Sequence, residues 1–344
     1  MECKSLISPR IVTPPFRGPL FVVGMPRSGT KLLRDLLNGH SQIGIPAAET
    51  EFLPDWCRRW PEFGDLSDRA TFQRFYDRMQ KSAYFVYLRE EQRYETDPQR
   101  WYEACAGWGV AEVFEALIRE DAHCPLGSTR IWGDKSPSYI AQVPLLDRLW
   151  PSARVVHIVR DVRDYALSIH HAWGKDMLRA AQRWVDRVEQ VAQEGAALGP
   201  HRFQELRYED LLTDPAVALD KLSGFLDIPF EPSMTKLQRA SENKGDAKGE
   251  IGIKADNSGK FGARMEPGLR RAIEAIAAPT LARYGYEGVP STPASRVPAW
   301  RMMAGQAADG AALVRSEADE RGWLGALRFR WSVFAETGAW ERLR

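Results

Sequence analysis

Four short apolar runs punctuate the chain, and each is bounded by residues that break regular structure. Residues 20–23 (LFVV) lie between Pro19 and Gly24, and a β-branched run of that length between breakers predicts a buried strand. Residues 154–159 (RVVHIV) predict a second strand, the segment IWGDKSP from Ile131 a short strand running into a turn, and residues 203–206 another. Between them the apolar period changes to that of a helix. Leu32, Leu33, Leu36 and Leu37 share one face of a segment that Gly39 closes. Further helices are expected over residues 138–150, 162–173, onward to Leu198, and 266–286. Pro215 opens one that runs to Leu226, with Asp214 placed to cap it. Strands alternating with helices imply the α/β class, a parallel sheet covered on both faces.

Two stretches interrupt that alternation. Residues 41–51 (SQIGIPAAETE) are an extended connector, since Pro46 and its small neighbours disfavour a helix. Residues 52–125 are a helical insertion or cap, rich in aromatics. In it Phe72, Phe75, Tyr76 and Met79 recur at helical spacing, and a second helical segment covers residues 98–119. Such an insertion suits a lid over a cleft or plain packing helices equally well. Residues 242–264 are dominated by glycine, lysine and polar residues and predict a loop that orders on a ligand. The main domain is expected over residues 1–290. A proline-rich linker and helical tail follow over 291–344, carrying Trp323, Phe329, Trp331, Phe334 and Trp340.

Composition narrows the field. With 47 Lys and Arg against 46 Asp and Glu in 344 residues, the net charge of +1 gives no reason to expect nucleic acid or an anionic membrane as partner. No stretch reaches the ~18 apolar residues of a membrane span. The cysteines, Cys3, Cys57, Cys105 and Cys124, form no metal-ligand or CxxC spacing and read as reduced thiols. The N-terminus has no apolar core of signal-peptide length. Together these place the chain in the cytoplasm, with no metal expected.

The chemistry concentrates at strand ends. Strand, glycine-bearing loop and helix at residues 20–37 aim backbone N–H groups and a positive helix end at one spot, an anion site. The loop GMPRSGT has the Gly-x4-Gly spacing of a phosphate loop, but Thr30 precedes Lys31, the reverse of the Walker order. Arg160 follows the 154–159 strand at the end where ligands of doubly wound sheets bind, and Ser168 lies about two helical turns on. An arginine fork and a hydroxyl together suit a terminal phosphate. Arg163 stands close by, and either joins them or pairs with Asp161 or Asp164.

GMPRSGT with its leucine-rich helix, followed by RDVRDYALS, resembles the two donor motifs of the sulfotransferase family, in the style of the bacterial and tyrosylprotein branches. The resemblance spans roughly residues 21–286. It implies a P-loop-like fold and 3'-phosphoadenylyl sulfate as co-substrate. Arg27, Ser28, Gly29, Thr30 and Lys31 would hold the 5' side of that donor, and Arg160 and Ser168 its 3' phosphate. Tyr208, in RYEDL, would help hold the adenosine. Ser258 and Lys260 lie where relatives close a loop over the donor. Lys135, in WGDKSP, resembles the lysine that contacts the transferring sulfuryl group. Glu49, followed by Thr50, resembles the glutamate that acts as base. Glu51 is a rival, because residues two apart on an extended strand share a face; His170 and His171 stay open as well. The implied acceptor is a hydroxyl or amine of a small molecule, glycan or peptide, and a homodimer is possible. A nucleotide kinase and a non-catalytic nucleotide-binding module are the alternatives.

Overall fold

Among the described residues, five parallel strands form one sheet in the order β2-β3-β1-β4-β5. The computed structural model describes residues 15–241, 245–288 and 295–325. The strands are β1 (Leu20–Gly24), β2 (Ile43–Gly44), β3 (Ile131–Lys135), β4 (Arg154–Val159) and β5 (Phe203–Arg207). β1 lies at the centre, with Val22 opposite Lys135 on one side and Gly24 opposite Ile158 on the other. Its side chains alternate: Phe21 and Val23 enter one apolar core with Val155 and Val159, while Leu20 and Val22 enter another with Val156 and Ile158. A strand buried on both faces in this way reads as an unbroken apolar run, which is what residues 20–23 show.

Helices α1 (Thr30–Leu37), α10 (Tyr208–Thr213) and α11 (Pro215–Phe225) cover one face. The other is covered by α8 (Val162–Trp173), α9 (Met177–Leu198) and α13 (Pro267–Arg283). The carboxylate of Asp214 caps α11, accepting the Val217 N–H at 3.0 Å. The aromatic insertion folds as α2 (Leu53–Arg59), α3 (Arg69–Met79), α4 (Ala83–Glu91), α5 (Pro98–Ala104) and α6 (Val110–Asp121). Its rings pack edge to face around fully buried Trp101 and Trp56, the geometry that aromatic quadrupoles favour.

Three expected elements differ in detail. The single helix over 98–119 is two, because Gly107 and Gly109 break it; Gly109 takes an extended conformation and starts α6. The helix over 138–150 begins as a 3-10 turn (Pro137–Ala141) and restarts as α7 (Val143–Leu149). Pro144 has no N–H to continue a helix from the preceding turn and sits instead at the start of the new one. The connector includes β2, whose Ile43 and Gly44 pair with Ile131 and Trp132.

The last two described helices outside the α13 layer are α12 (Phe261–Arg264) and α14 (Ala299–Arg321). Asp309 of α14 is buried, pairs with Arg179 of α9 and accepts the Asp176 N–H at 2.8 Å. That carboxylate joins the tail helix to the start of α9. Trp300 and Trp323 are exposed; Phe329, Trp331, Phe334 and Trp340 lie outside the described residues. Among the described residues no helix is long and apolar enough to cross a membrane.

Candidate active site

Every candidate donor residue of the strands lies at a carboxyl end. β1 delivers the 24–30 loop, β3 delivers Lys135, β4 delivers Arg160 and β5 delivers Tyr208. The 24–30 loop turns where Ser28 N–H bonds Met25 O at 3.1 Å. Arg27 and Gly29 both have positive φ, 70° and 91°. A Cβ on Gly29 would lie 2.3 Å from the Tyr208 ring, so only glycine fits this close approach. Ser28 is fully buried, yet its hydroxyl has no hydrogen-bond partner among the described residues. Thr30 is buried at the first turn of α1, and Lys31 beside it is half-buried.

Arg160 draws the neighbouring strand end onto this loop. Its guanidinium donates to the carbonyls of Arg27 and Asn257, each at 2.9 Å, and stacks 4.7 Å from the Tyr208 ring. It is 5% exposed, its Nε has no partner, and no carboxylate among the described residues hydrogen-bonds to it. Arg27 Nε donates to Ser168 Oγ at 3.3 Å, and Asn257 Nδ2 donates to the Tyr208 hydroxyl at 2.7 Å. Arg27, Arg160, Ser168, Tyr208 and the 257–261 segment therefore meet at one place.

Buried Asp164, in the first turn of α8, secures that segment by accepting the N–H groups of Gly259 at 2.6 Å and Phe261 at 3.0 Å. Burial pushes its carboxyl up, and the Arg160 charge opposes that. Ser258, half-buried, immediately precedes the held amide of Gly259. Lys260 points to Asp246 and Asn257; its hydrogen bond and charge, with those of Arg264, hold the Asp246 carboxyl down at about 2. Arg163 takes no part in this cluster. It pairs with Asp161 and Glu274, donates to Glu287 O, and packs 4.0 Å from the Phe261 ring.

The connector brings Glu49 to Lys135, and the two form an ion pair. Lys135 is fully buried, which pushes its ammonium pKa down; Glu49 opposes this, while Arg34 and Lys31 add to it. Two side chains of α1 and its end hold the connector. Asn38 accepts from Ile45 N and donates to Ile45 O, both at 2.8 Å, in the manner of a neighbouring strand. Arg34, paired with Asp35 at 2.7 Å, donates to Ala47 O at 2.7 Å. Neither residue carries a signal in the sequence, because both sit inside an ordinary helical pattern.

Glu49 and Thr50 reach different partners. Glu49 meets Lys135, whereas Thr50 meets Ser136 and Tyr139 in a buried hydroxyl cluster. The extended alternation then ends, because Glu51 has φ 40° and Phe52 N–H turns back to Thr50 O. The shared face expected for Glu49 and Glu51 does not form. His170 and His171 are exposed in the last turn of α8, with His170 Nδ1 bonded to Lys175 O at 2.9 Å.

A family model described as the sulfotransferase family matches residues 19–232. The chain belongs to the sulfotransferase family. An uncharacterized protein of Aquifex aeolicus is 24% identical over 63% of this chain and 26% of its own length. The omega-hydroxy-beta-dihydromenaquinone-9 sulfotransferase of Mycobacterium bovis is 29% identical over 33% of each chain. The chain thus spans about a quarter to a third of the length of these two relatives. A putative protein-tyrosine sulfotransferase of Caenorhabditis briggsae is 23% identical over 81% of this chain and 92% of its own. Among solved structures, the sulfotransferase domain of the curacin biosynthetic pathway superposes with a TM-score of 0.53 at 21% identity, over 80% of this chain and all of that one. That likeness is one of fold. Family membership leaves the nucleotide-kinase alternative without support.

Proposed function

We propose that this sulfotransferase moves the sulfuryl group of 3'-phosphoadenylyl sulfate to an acceptor hydroxyl or amine. The observation that carries the reading is Arg160: a buried guanidinium at the carboxyl end of β4, hydrogen-bonded among the described residues only to carbonyls. A buried charge left without a counter-ion contact is costly, and an anionic ligand supplies one. The orphaned Ser28 hydroxyl and the glycine that lets Tyr208 close on the loop fit the same nucleotide. In this reading the loop amides with Ser28, Thr30 and Lys31 hold the 5' side. Arg160 and Ser168 hold the 3' phosphate, Tyr208 flanks the adenosine, and Ser258 and Lys260 belong to the covering segment.

The bound donor supplies an activated sulfuryl group joined to a phosphate leaving group. Glu49 accepts the acceptor proton as the acceptor oxygen or nitrogen bonds to sulfur and the bond from sulfur to the phosphate oxygen breaks. Lys135 and Arg27 neutralise charge across that displacement, and the rigid strand ends keep it in line. A small molecule, glycan or peptide supplies the acceptor group, with the 52–125 insertion bordering it. The free thiols of Cys57, Cys105 and Cys124 support a cytoplasmic setting.

Thermal denaturation tests the donor assignment without knowledge of the acceptor. Adenosine 3',5'-bisphosphate at about 100 times its Kd should stabilise the fold by about 2.7 kcal/mol. AMP, lacking the 3' phosphate, should do far less. Equal shifts with both would remove the role of Arg160, and ATP with magnesium exceeding both would favour a kinase.

A further inference from the structure

The connector that carries Glu49 is gripped along its length by side chains of α1 and its end. The chain runs back along that helix, so the holds fall in reverse order. His40 Nδ1 accepts the Gln42 N–H at 2.9 Å, and Asn38 exchanges two hydrogen bonds with the Ile45 backbone at 2.8 Å each. The Arg34 guanidinium then donates to Ala47 O at 2.7 Å. Arg34 and Asn38 stand four residues apart, so they share one side of the helix.

The last hold lies at the point that aims Glu49, for the backbone bends at Ala47 and Ala48. Arg34 is 5% exposed. Its Nε and Nη2 meet Asp35 Oδ1 at 2.8 and 2.7 Å, which neutralises the buried charge and leaves Nη1 for the Ala47 carbonyl. On the other side of Glu49, Thr50 is tied to Ser136 and Tyr139. The carboxylate thus hangs between a hold on α1 and a hold on the residues after β3. The same helix begins at Thr30, where the 24–30 loop ends. Leu33, Leu36 and Leu37 are fully buried, so α1 cannot shift without repacking the core beneath it.

We propose that Arg34 and Asn38 are positioning residues for Glu49: by fixing the connector backbone to α1, they set where its carboxylate stands relative to the donor loop. The inference rests on the reading of Glu49 as base. Donor loop and base are then held by one rigid helix, which fixes the line along which acceptor and sulfuryl group meet. Each side chain acts through the backbone it holds. Their weights differ. Arg34 is buried, and its loss frees the bend; Asn38 is exposed, so water replaces its bonds at a smaller loss.

The test compares wild type with Arg34→Met, which keeps an unbranched chain without donors, and Asn38→Leu, which keeps the shape without the amide. Turnover of 3'-phosphoadenylyl sulfate is followed with p-nitrophenol as acceptor probe. In Arg34→Met kcat should fall by about thirtyfold and in Asn38→Leu by about threefold, while donor Kd stays within about twofold. Arg34→Lys, whose ammonium still donates to a carbonyl, should recover kcat to within about fivefold of wild type. Added to Glu49→Gln, Arg34→Met should cost less than about twofold more, because the base it positions is already gone. Asp214→Ala, which removes the cap of α11 and no hold on the connector, should melt lower yet keep kcat within about twofold. Asn38 carries no charge, so its variant separates positioning from the field that Arg34 exerts on Lys135.

Hydrogen exchange gives an arm that needs no turnover. Amides of residues 41–51 should exchange at least about tenfold faster in Arg34→Met, with those of β1 and β4 still protected; Asn38→Leu, which serves if Arg34→Met does not fold, should release the Ile45 amide. Wild-type rates in both variants, an Arg34→Met loss that is the same with and without Glu49, or unchanged exchange over the connector would each overturn the inference. A wild-type rate in Glu49→Gln would remove the reading of the base, and the inference with it. Absence of turnover in wild type would count against the proposed function, with the exchange arm still deciding whether α1 holds the connector.

Discussion

Replacing Glu49 by Gln removes a charge and the proposed base while leaving the shape and one acceptor for Lys135. Two effects follow, and they are separable. A positioned base contributes on the order of a hundredfold to ten-thousandfold, so turnover should fall by at least about a hundredfold, or ~2.7 kcal/mol of barrier. The second effect is on the fold. Breaking a fully buried ion pair costs about 3–5 kcal/mol. Here Lys135 is fully buried but the Glu49 side chain is 31% exposed. Solvent screens that end of the pair and Gln still accepts a hydrogen bond, so a loss of about 1–2 kcal/mol is expected. Lys135 also loses the charge that opposes its desolvation and releases its proton at lower pH than in wild type. Single-turnover kinetics at saturating donor, with calorimetric titration of adenosine 3',5'-bisphosphate, reads both effects: the rate collapses and the Kd at neutral pH holds. Glu51→Gln, at the backbone kink where φ is 40°, should be mild. Turnover of Glu49→Gln within about threefold of wild type would refute the assignment, and a dead Glu51→Gln would transfer it.

Arg160→Ala should weaken adenosine 3',5'-bisphosphate by roughly thirtyfold, the loss of one charge-assisted contact of about 2 kcal/mol, while AMP affinity changes little; isothermal titration of both nucleotides checks it. Gly29→Ala places a methyl 2.3 Å from the Tyr208 ring at φ 91°, so nucleotide binding and melting temperature should fall together, whereas Gly127→Ala, with open space around it, should leave binding untouched. Asp309→Ala strips Arg179 of its buried partner and the start of α9 of an acceptor, and should lower stability by about 3–5 kcal/mol in a denaturant melt.

Much of this site is legible in the residue pattern because it follows from strand ends. The apolar run before Gly24, the inverted Thr30-Lys31 pair, and Arg160 directly after RVVHIV are enough to locate the candidate donor loop and the strand end that meets it. The choice between Glu49 and Glu51 is different. It turns on a left-handed backbone at Glu51, a conformation that tertiary contacts impose and that no residue there announces. Arg163 shows the same limit: close to Arg160 in sequence, it is drawn into an ion pair with Glu274, more than a hundred residues away. The buried state of Asp134 is hidden for a further reason. All five residues of β3 are buried, because both faces of the sheet are covered, so polarity along that strand does not report exposure. The split of the 138–150 helix, by contrast, is written in Pro144, whose missing N–H stops the preceding turn from continuing.

If this cleft transfers a sulfuryl group and Glu49 takes the acceptor proton, both parts show in a single labelling experiment. Wild type and Glu49→Gln are incubated with sulfur-labelled 3'-phosphoadenylyl sulfate and a metabolite extract, and labelled products are followed by mass spectrometry. Wild type should yield a labelled acceptor together with an equal amount of adenosine 3',5'-bisphosphate, and Glu49→Gln should yield neither above background. A wild-type protein that binds the donor yet labels nothing, or a Glu49→Gln variant that labels as well as wild type, would contradict it.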